Sequence, residues 1–580
     1  MRNKIYLILF LICVNLISNS QTISRREVLG KPRDTGISLK MFFSIPTEMA
    51  VKFGTISGNL TSQTTWQTFA ANDPAEITIN GLQPDTKYYY SVIYRNPGDT
   101  SFTTLGEHYF HTQRQLGSTF SFVVQADPHM DASTNVPLYQ RCLQNQLEDN
   151  PDFMIDLGDF LMTDKLKNLT TNAIPHDTIP YRCNLLRSNY ETVCHSMPLF
   201  NVLGNHEGEA GWNLNGTANN IAVWNAQERI KYFLNPSPDG FYSGDATMQN
   251  YIGPNNSAAH RNAYYAWTWG DALFIVIDPY WYTNPKPNTT ANTGWNWSLG
   301  ITQYNWLRTT LENSNAKFKF IFSHQIVGGD PEGRGGIEFA DKYEWGGLNY
   351  DGVTSGFASY RPGWYKPIKD LLTDNHVNIF FHGHDHLFVK QDKDCLVYQE
   401  TPQPSLPNFN YPSQAADYGY IAGQIVGNSG HLRVTVSATQ IQVDYVRAYL
   451  PADENATRHN KDISATYTIG LSNCYTLSTN SPVIWNANYL DEIVYPNPLI
   501  TESKIEFTLS NPDHISISIY TVLGQLVKNL ITDNFINEGK FQVNWDGKDN
   551  SGNDVSNGTY VYQISNDKGK INSGKIIVKK

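Results

Sequence analysis

The chain has 580 residues, a formal net charge of −11, 40% hydrophobic and 17% charged residues. That much apolar sequence at ordinary complexity excludes wholesale disorder, collagen and coiled coil, and the acidic balance excludes the basic footprint of a general nucleic-acid binder. With 34 Tyr and 13 Trp and little charge, it suits an extracellular β-rich protein of three to five domains, at about 150 residues per domain.

Residues 1–20 read as a secretory signal. Arg2 and Lys4 give the positive start, Ile5 to Ile17 the apolar run, and Ser18-Asn19-Ser20 a cleavage site before Gln21. The run is about 13 residues, short of the ~20 that span a bilayer. The competing reading is an uncleaved anchor. No later stretch is apolar enough for a transmembrane helix. Cys13 leaves with the signal, and Cys142, Cys183, Cys194, Cys395 and Cys474 remain. An odd count implies a free thiol or an intermolecular bridge. Cys183 and Cys194 are close enough in sequence to pair, and no CxxC spacing offers a zinc–thiolate site.

Residues 21–115 carry short alternating strands, such as 50–55 and 76–79. Leu82-Gln83-Pro84-Asp85-Thr86-Lys87-Tyr88 enters another strand. This run resembles the tyrosine corner of fibronectin type III-like sandwiches, in which Tyr88 or Tyr90 would turn its hydroxyl back to the main chain. Similar sandwiches precede the catalytic domain of purple acid phosphatases. Its role is substrate or glycan contact, or that of a rigid spacer.

From 116 to 450 apolar runs end in polar, metal-capable residues. Phe120 to Ala126 leads into Asp127-Pro128-His129, and Phe153 to Leu157 into Gly158-Asp159. Pro198 to Leu203 leads into Gly204-Asn205-His206-Glu207. Leu273 to Ile277 ends at Asp278, Phe318 to Phe322 at Ser323-His324, and Val377 to Phe381 at His382-Gly383-His384-Asp385-His386. Open α/β sheets bind ligands beyond the carboxyl ends of their strands, so these clusters can converge. Imidazole with carboxylate suits Fe, Mn or Zn. Residues i and i+2 of extended chain share a side, so Asp127 with His129 can clasp one metal, while His384 and His386 can reach two.

The ordered set D-x-H, G-D, G-N-H-E, S-H, G-H-x-H resembles calcineurin-like metallophosphoesterases over residues 118–450. The resemblance implies a two-sheet β-sandwich flanked by helices and two metal ions. Asp127, His129, Asp159 and His386 would hold the first, and Asp159, Asn205, His324 and His384 the second, with Asp159 bridging. It implies hydrolysis of phosphate mono- or diesters by a metal-bridging hydroxide. His206 would give a proton to the leaving alkoxide or bond to the transition state; a structural histidine is the alternative. Purple acid phosphatases have Tyr where this chain has Met162, and D-x-G for D-x-H, so a colourless protein of the broader branch is expected.

Between Gly328 and Gly356, Arg334 either holds a phosphate or sulfate oxygen or is a solvated loop residue. Tyr280, Trp281 and Tyr282 stack on a sugar or base, or pack at the rim. Residues 432–446 read as a hairpin closing the second sheet, and 451–490 as a polar linker. Residues 491–580 form a third unit. Tyr495-Pro496-Asn497-Pro498, the turn at Gly524-Gln525, Trp545-Asp546-Gly547 and the Gly574-to-Lys580 tail resemble the C-terminal sorting domain of the type IX secretion system of Bacteroidetes. That implies a β-sandwich, export across the outer membrane and contact with the type IX machinery.

The expected architecture is multidomain: a β-sandwich, an α/β metallophosphoesterase, then a second β-sandwich. The expected function is a secreted or surface-attached phosphoesterase acting on a small or polysaccharide-linked phosphate ester, without specific nucleic-acid binding. Hydrolysis of sulfate or other esters on polysaccharides at the same centre is the second reading, and a non-enzymatic adhesin the third.

Overall fold

A computed structural model describes residues 23–580 apart from 169, 172, 331, 411–413, 472–488, 510–511, 522–524 and 567–568. The expected signal at 1–20, Cys13 and Cys474 lie outside the described residues. The chain divides into two compact units, one ending at Thr476 and one beginning at Leu477.

The first unit opens with a β-sandwich. Ile23–Gly30, Gly36–Phe43 and Pro74–Asn80 form one sheet, and Thr47–Gly54 with Lys87–Arg95 centre the other. Their alternating apolar residues, among them Leu39, Met41, Val51, Ile77 and Val92, fill the space between. The Tyr88 hydroxyl accepts the Gln83 N–H at 2.9 Å, closing the corner. Tyr90 instead donates to His195 O at 2.7 Å, across to the next domain. Buried Lys40 follows it, donating to Ile230 O and Phe233 O at 2.9 and 3.0 Å. In return Arg187 donates to Tyr232 O and Arg26 O at 2.6 and 3.0 Å, and to Lys40 O. The module is thus packed against the catalytic body, with side-chain hydrogen bonds crossing the boundary.

Two sheets make the catalytic body. The first runs in the order Leu199–Asn201, Met154–Asp156, Phe120–Gln125, Gly430–Val436, Gln440–Arg447, Ile463–Gly470. The second has at its centre the parallel strands Ala272–Val276, Phe318–Phe322, Ile379–His382 and Leu396–Glu400. Both inner faces are aromatic, with Phe122, Phe153, Trp267, Phe274, Phe320 and Phe381 in one core. Phe122 meets Phe274 edge-on at 5.1 Å and Trp267 stacks on Phe200 at 4.1 Å, the offset and T-shaped geometries aromatic pairs prefer. Helices Val136–Glu148 and Thr178–Tyr190 cover the outer face of the first sheet, and Gly300–Glu312 with Ile368–Asp374 that of the second. Strands buried on both sides read as continuous apolar runs, which is why the motifs at their ends stand out.

Three expectations are corrected. The hairpin at 430–447 joins the sheet of the first catalytic strand, pairing Phe122 with Val434, and not the later one. Within 451–490, Ile463–Gly470 is a strand and extends that sheet, its Ala465, Tyr467 and Ile469 buried. Ser464, Thr466 and Thr468 hide this two-residue period in a polar-looking stretch. Cys183 and Cys194 do not pair: with Cys142 they are buried free thiols. Cys183 lies seven residues before the end of its helix, about 10 Å at 1.5 Å per residue, whereas bridged Cα atoms lie within about 7 Å. Cys395 is disulfide-bonded.

The second unit is a β-sandwich of a three-stranded and a four-stranded sheet. Phe507, Ile515, Ile517, Ile519, Trp545 and Tyr562 form its core. Among the described residues no helix is long and apolar enough to cross a membrane.

Candidate metal centre

The polar strand ends of both sheets meet at one edge of the sandwich. Asp127, His129 and His386 form one group of potential ligands, and Asp159, His324 and His384 a second. His386 Nε2 lies 3.3 Å and His129 Nε2 3.6 Å from Asp127 Oδ1. His324 Nε2 lies 3.2 Å from Asp159 Oδ2, 3.1 Å from Asn205 Oδ1 and 3.2 Å from His384 Nδ1. It also lies 3.8 Å from Asp127 Oδ1, which joins the two groups into one centre.

The local folding is unusual. Asp127, Asp159, His384 and His386 all take left-handed backbone φ, between 54° and 81°. Such turns cost L residues energy and aim these side chains inward. Gly204 and Gly383 let the loops close: a Cβ on either would strike the Asp159 or the Asp127 carboxylate.

Each central carboxylate is half-satisfied. Asp127 Oδ2 accepts His384 N–H at 2.9 Å, and Asp159 Oδ1 accepts His206 N–H at 2.8 Å. Asp127 Oδ1, Asp159 Oδ2 and His129 Nε2 are buried with no hydrogen-bond partner. Buried polar atoms are normally paired, so these atoms, converging among imidazoles, fit bound cations. Burial would raise the Asp127 carboxyl, but His324 and His386 outweigh it and hold it well below the usual range. His324 is pushed the other way: burial opposes its charge, but Asp159 and Asp127 raise it to about 10.

The candidate ligands are oriented from behind. His324 Nδ1–H donates to Leu157 O at 3.0 Å, and His384 Nε2–H to Glu332 O at 3.1 Å, leaving the opposite nitrogens facing the centre. His386 is steadied by Asn428, which donates to its carbonyl at 2.8 Å. Glu207 accepts N–H bonds from Asp159, Leu161 and Gly204 at 3.0, 2.9 and 2.6 Å. Burial and then Asp159 push its carboxyl up to about 8.

His206 stands beside these groups. Its Nε2 is 3.9 Å from Asp159 Oδ2, while Nδ1–H donates to Asp164 at 2.7 Å. The Thr163 hydroxyl donates to the carbonyls of His206 and Glu207, tying the two turns together. Sequence reasoning missed Asp164, because its approach depends on the left-handed turn at Met162, where φ is 53°.

Other candidates are used elsewhere. Arg334 Nη1 donates to His384 O and Asp385 Oδ1, both at 3.0 Å, and the guanidinium lies over Tyr418. It fixes the loop that carries His384. Asp278 pairs with Arg261 at 2.8 Å. Tyr280 donates to Gln325 and Trp281 lies under Arg261, so both pack inside, while Tyr282 is partly exposed.

Residues 120–388 match the calcineurin-like phosphoesterase family model, and residues 500–570 the FlgD Ig-like domain. The chain carries a calcineurin-like phosphoesterase domain. It is an enzyme, a hydrolase acting on phosphate esters. No curated protein matches the chain. Among solved structures, one described as PhoD shares the fold at 14% identity and a TM-score of 0.53, covering 78% of this chain and 93% of that one. GAP50, the anchor in the inner membrane complex of Plasmodium, is 15% identical over 60% of this chain and 90% of its own, with a TM-score of 0.33. A putative 5'-nucleotidase from Staphylococcus aureus is 14% identical over 59% and 56%, with a TM-score of 0.28.

Proposed function

We propose that the chain is an exported two-metal phosphoesterase that scavenges phosphate from mono- or diesters outside the cell. The observation that carries the reading is the set of unpartnered atoms, Asp127 Oδ1, Asp159 Oδ2 and His129 Nε2, buried among further imidazoles. Asp127, His129 and His386 would hold one ion. Asn205, His324 and His384 would hold the other, with Asp159 shared. Paired cations supply water activated at neutral pH and offset the charge of a phosphoryl group.

The protein's own groups do the rest. Asp164 fixes the Nδ1–H of His206 and leaves Nε2 toward the reacting edge. Protonated there, His206 hands a proton to the leaving alkoxide as the P–O bond breaks. The left-handed ligand turns, backed by Glu207 and Arg334, keep the acceptors in place before substrate arrives, so little reorganisation is left to the reaction. Export is supported by the apolar run at 5–17. The YPNP segment and basic tail of the C-terminal sandwich support the type IX route, with cleavage or anchoring at the surface. The N-terminal sandwich supports kinship with the purple acid phosphatases, whose Tyr ligand is replaced by Met162.

The test is metal content and a paired rate on the full chain loaded with Mn²⁺ or Zn²⁺. Two ions per chain and hydrolysis of p-nitrophenyl phosphate or its bis ester are expected, and the ratio of kcat/KM names the ester class. Two bound ions with neither ester cut would move the reading to sulfate or other esters.

A further inference from the structure

Arg182 lies on the helix Thr178–Tyr190 and is 5% exposed. Buried arginines ordinarily meet a carboxylate. This one spends its whole fork on main-chain carbonyls. Nε donates to Leu161 O at 2.5 Å, Nη1 to Met130 O at 2.7 Å and Nη2 to His129 O at 2.6 Å. Those carbonyls belong to two different ligand loops, one bearing Asp127 and His129, the other Asp159.

Both loops need outside support. Asp127, His129 and Met130 in the first, and Asp159 and Met162 in the second, have φ between 51° and 57°. Direct bonds between the loops use donors of the first and acceptors of the second: Asp127 N–H to Gly158 O and His129 N–H to Asp159 O, at 3.0 and 3.2 Å. The carbonyls of His129, Met130 and Leu161 are left over, and Arg182 takes all three. Glu207 performs the converse task on the N–H side of the second loop.

We infer that Arg182 is a positioning residue for the metal centre: its guanidinium sets the spacing between the His129 and Asp159 loops, and hence between the two ligand groups. The inference rests on the two-metal reading above. Arg187, one turn and a half further along the same helix, is the internal control. It is fully buried and also donates to carbonyls, those of Tyr232, Arg26 and Lys40, none in a ligand loop.

The experiment is calorimetric titration of the metal-free full chain with Mn²⁺, for wild type, R182K and R187K, with Tm and kcat measured alongside. Lysine keeps the charge but cannot span three carbonyls in a fixed plane. Both variants should lower the metal-free Tm. Only R182K should lose Mn²⁺ affinity, by about 10- to 100-fold as for other groups that orient ligands, and lose kcat that excess Mn²⁺ restores, with KM little changed. R182K binding two Mn²⁺ with wild-type affinity and turnover overturns the inference and leaves the two-metal reading standing. Wild type binding no Mn²⁺ overturns that reading and the inference with it. Should R182K not fold, hydrogen exchange on the wild type decides. Mn²⁺ must protect 127–131 and 159–163 together with 179–184; protection of the loops alone overturns the inference.

Discussion

Two buried charge clusters sit at the strand ends of the catalytic body, and they are built on opposite rules. In one, Arg229 grips Glu209 through two bonds of 2.6 and 2.9 Å, and Arg261 bridges Glu209 and Asp278 at 3.3 and 2.8 Å. These carboxylates are closed by arginine. In the other, Asp127 and Asp159 each keep an oxygen without a hydrogen-bond partner, and only neutralisable imidazoles face them. In the first cluster every carboxylate has an arginine partner. The second has its charge arranged for ions supplied from outside. Burial alone therefore says little about function; what separates the two is whether the counter-charge is a fixed guanidinium or an imidazole that can exchange its proton for a cation.

That contrast can be broken at several points. The largest effect is expected for Asp159→Asn, which keeps the acceptor for the His206 N–H but removes the shared carboxylate. Activity should fall to background and metal affinity by more than about 100-fold, beyond the loss usual for a supporting group; near-wild-type metal content would refute the assignment. His206→Ala should retain both metals and lose roughly 10²–10⁴-fold in kcat on esters with poor leaving groups. Unchanged turnover of an alkyl phosphate would remove it from the reaction. Arg261→Met attacks the closed cluster. It should cost about 3–5 kcal/mol in denaturant unfolding by stranding Asp278, while Glu209 keeps Arg229, with metal stoichiometry untouched. Asp164→Asn should cost about 10- to 100-fold in kcat with little change in KM, since it only orients His206.

The smallest effect concerns the seam between sandwich and catalytic body. There His195 stacks on His108 at 3.9 Å, and His108 faces buried Glu27 at 3.3 Å, with Arg26 beyond. Burial, then His108, lowers His195 from 6.5 to about 4. The folded protein therefore holds it neutral while the unfolded chain takes up a proton below 6.5. Its contribution is complete above pH 6.5, declines as pH falls toward 4, and levels off below. Discounted for its partial exposure, this is on the order of 1 kcal/mol. His195→Gln should flatten the stability profile over that window; an unchanged slope would assign it elsewhere.

The same contrast sets what sequence can reveal. That Asp127, His129, Asp159, Asn205, His324, His384 and His386 come together is legible, because each follows an apolar run at a sheet edge. Asp278 follows such a run too, and nothing in its neighbours announces Arg261, which is 17 residues upstream. The helpers are harder still. Asp164 reaches His206 through a left-handed turn, and Arg182 reaches its carbonyls from a helix whose register carries no motif. The strand at 463–470 was masked by its threonines. The sandwich order of the domains was legible, because alternation and turn residues are local signals.

The seam at Arg187 and Lys40 has a consequence for inheritance. Each side of it fills hydrogen-bonding vacancies of the other: Lys40 caps Ile230 and Phe233, and Arg187 caps Arg26 and Lys40. A gene fragment beginning at Ser118 would encode a catalytic body with a buried guanidinium turned toward water and an aromatic face newly bare. Recombination that shuffles domains should therefore pass on the N-terminal sandwich and the catalytic body, through the strand ending at Gly470, as one cassette.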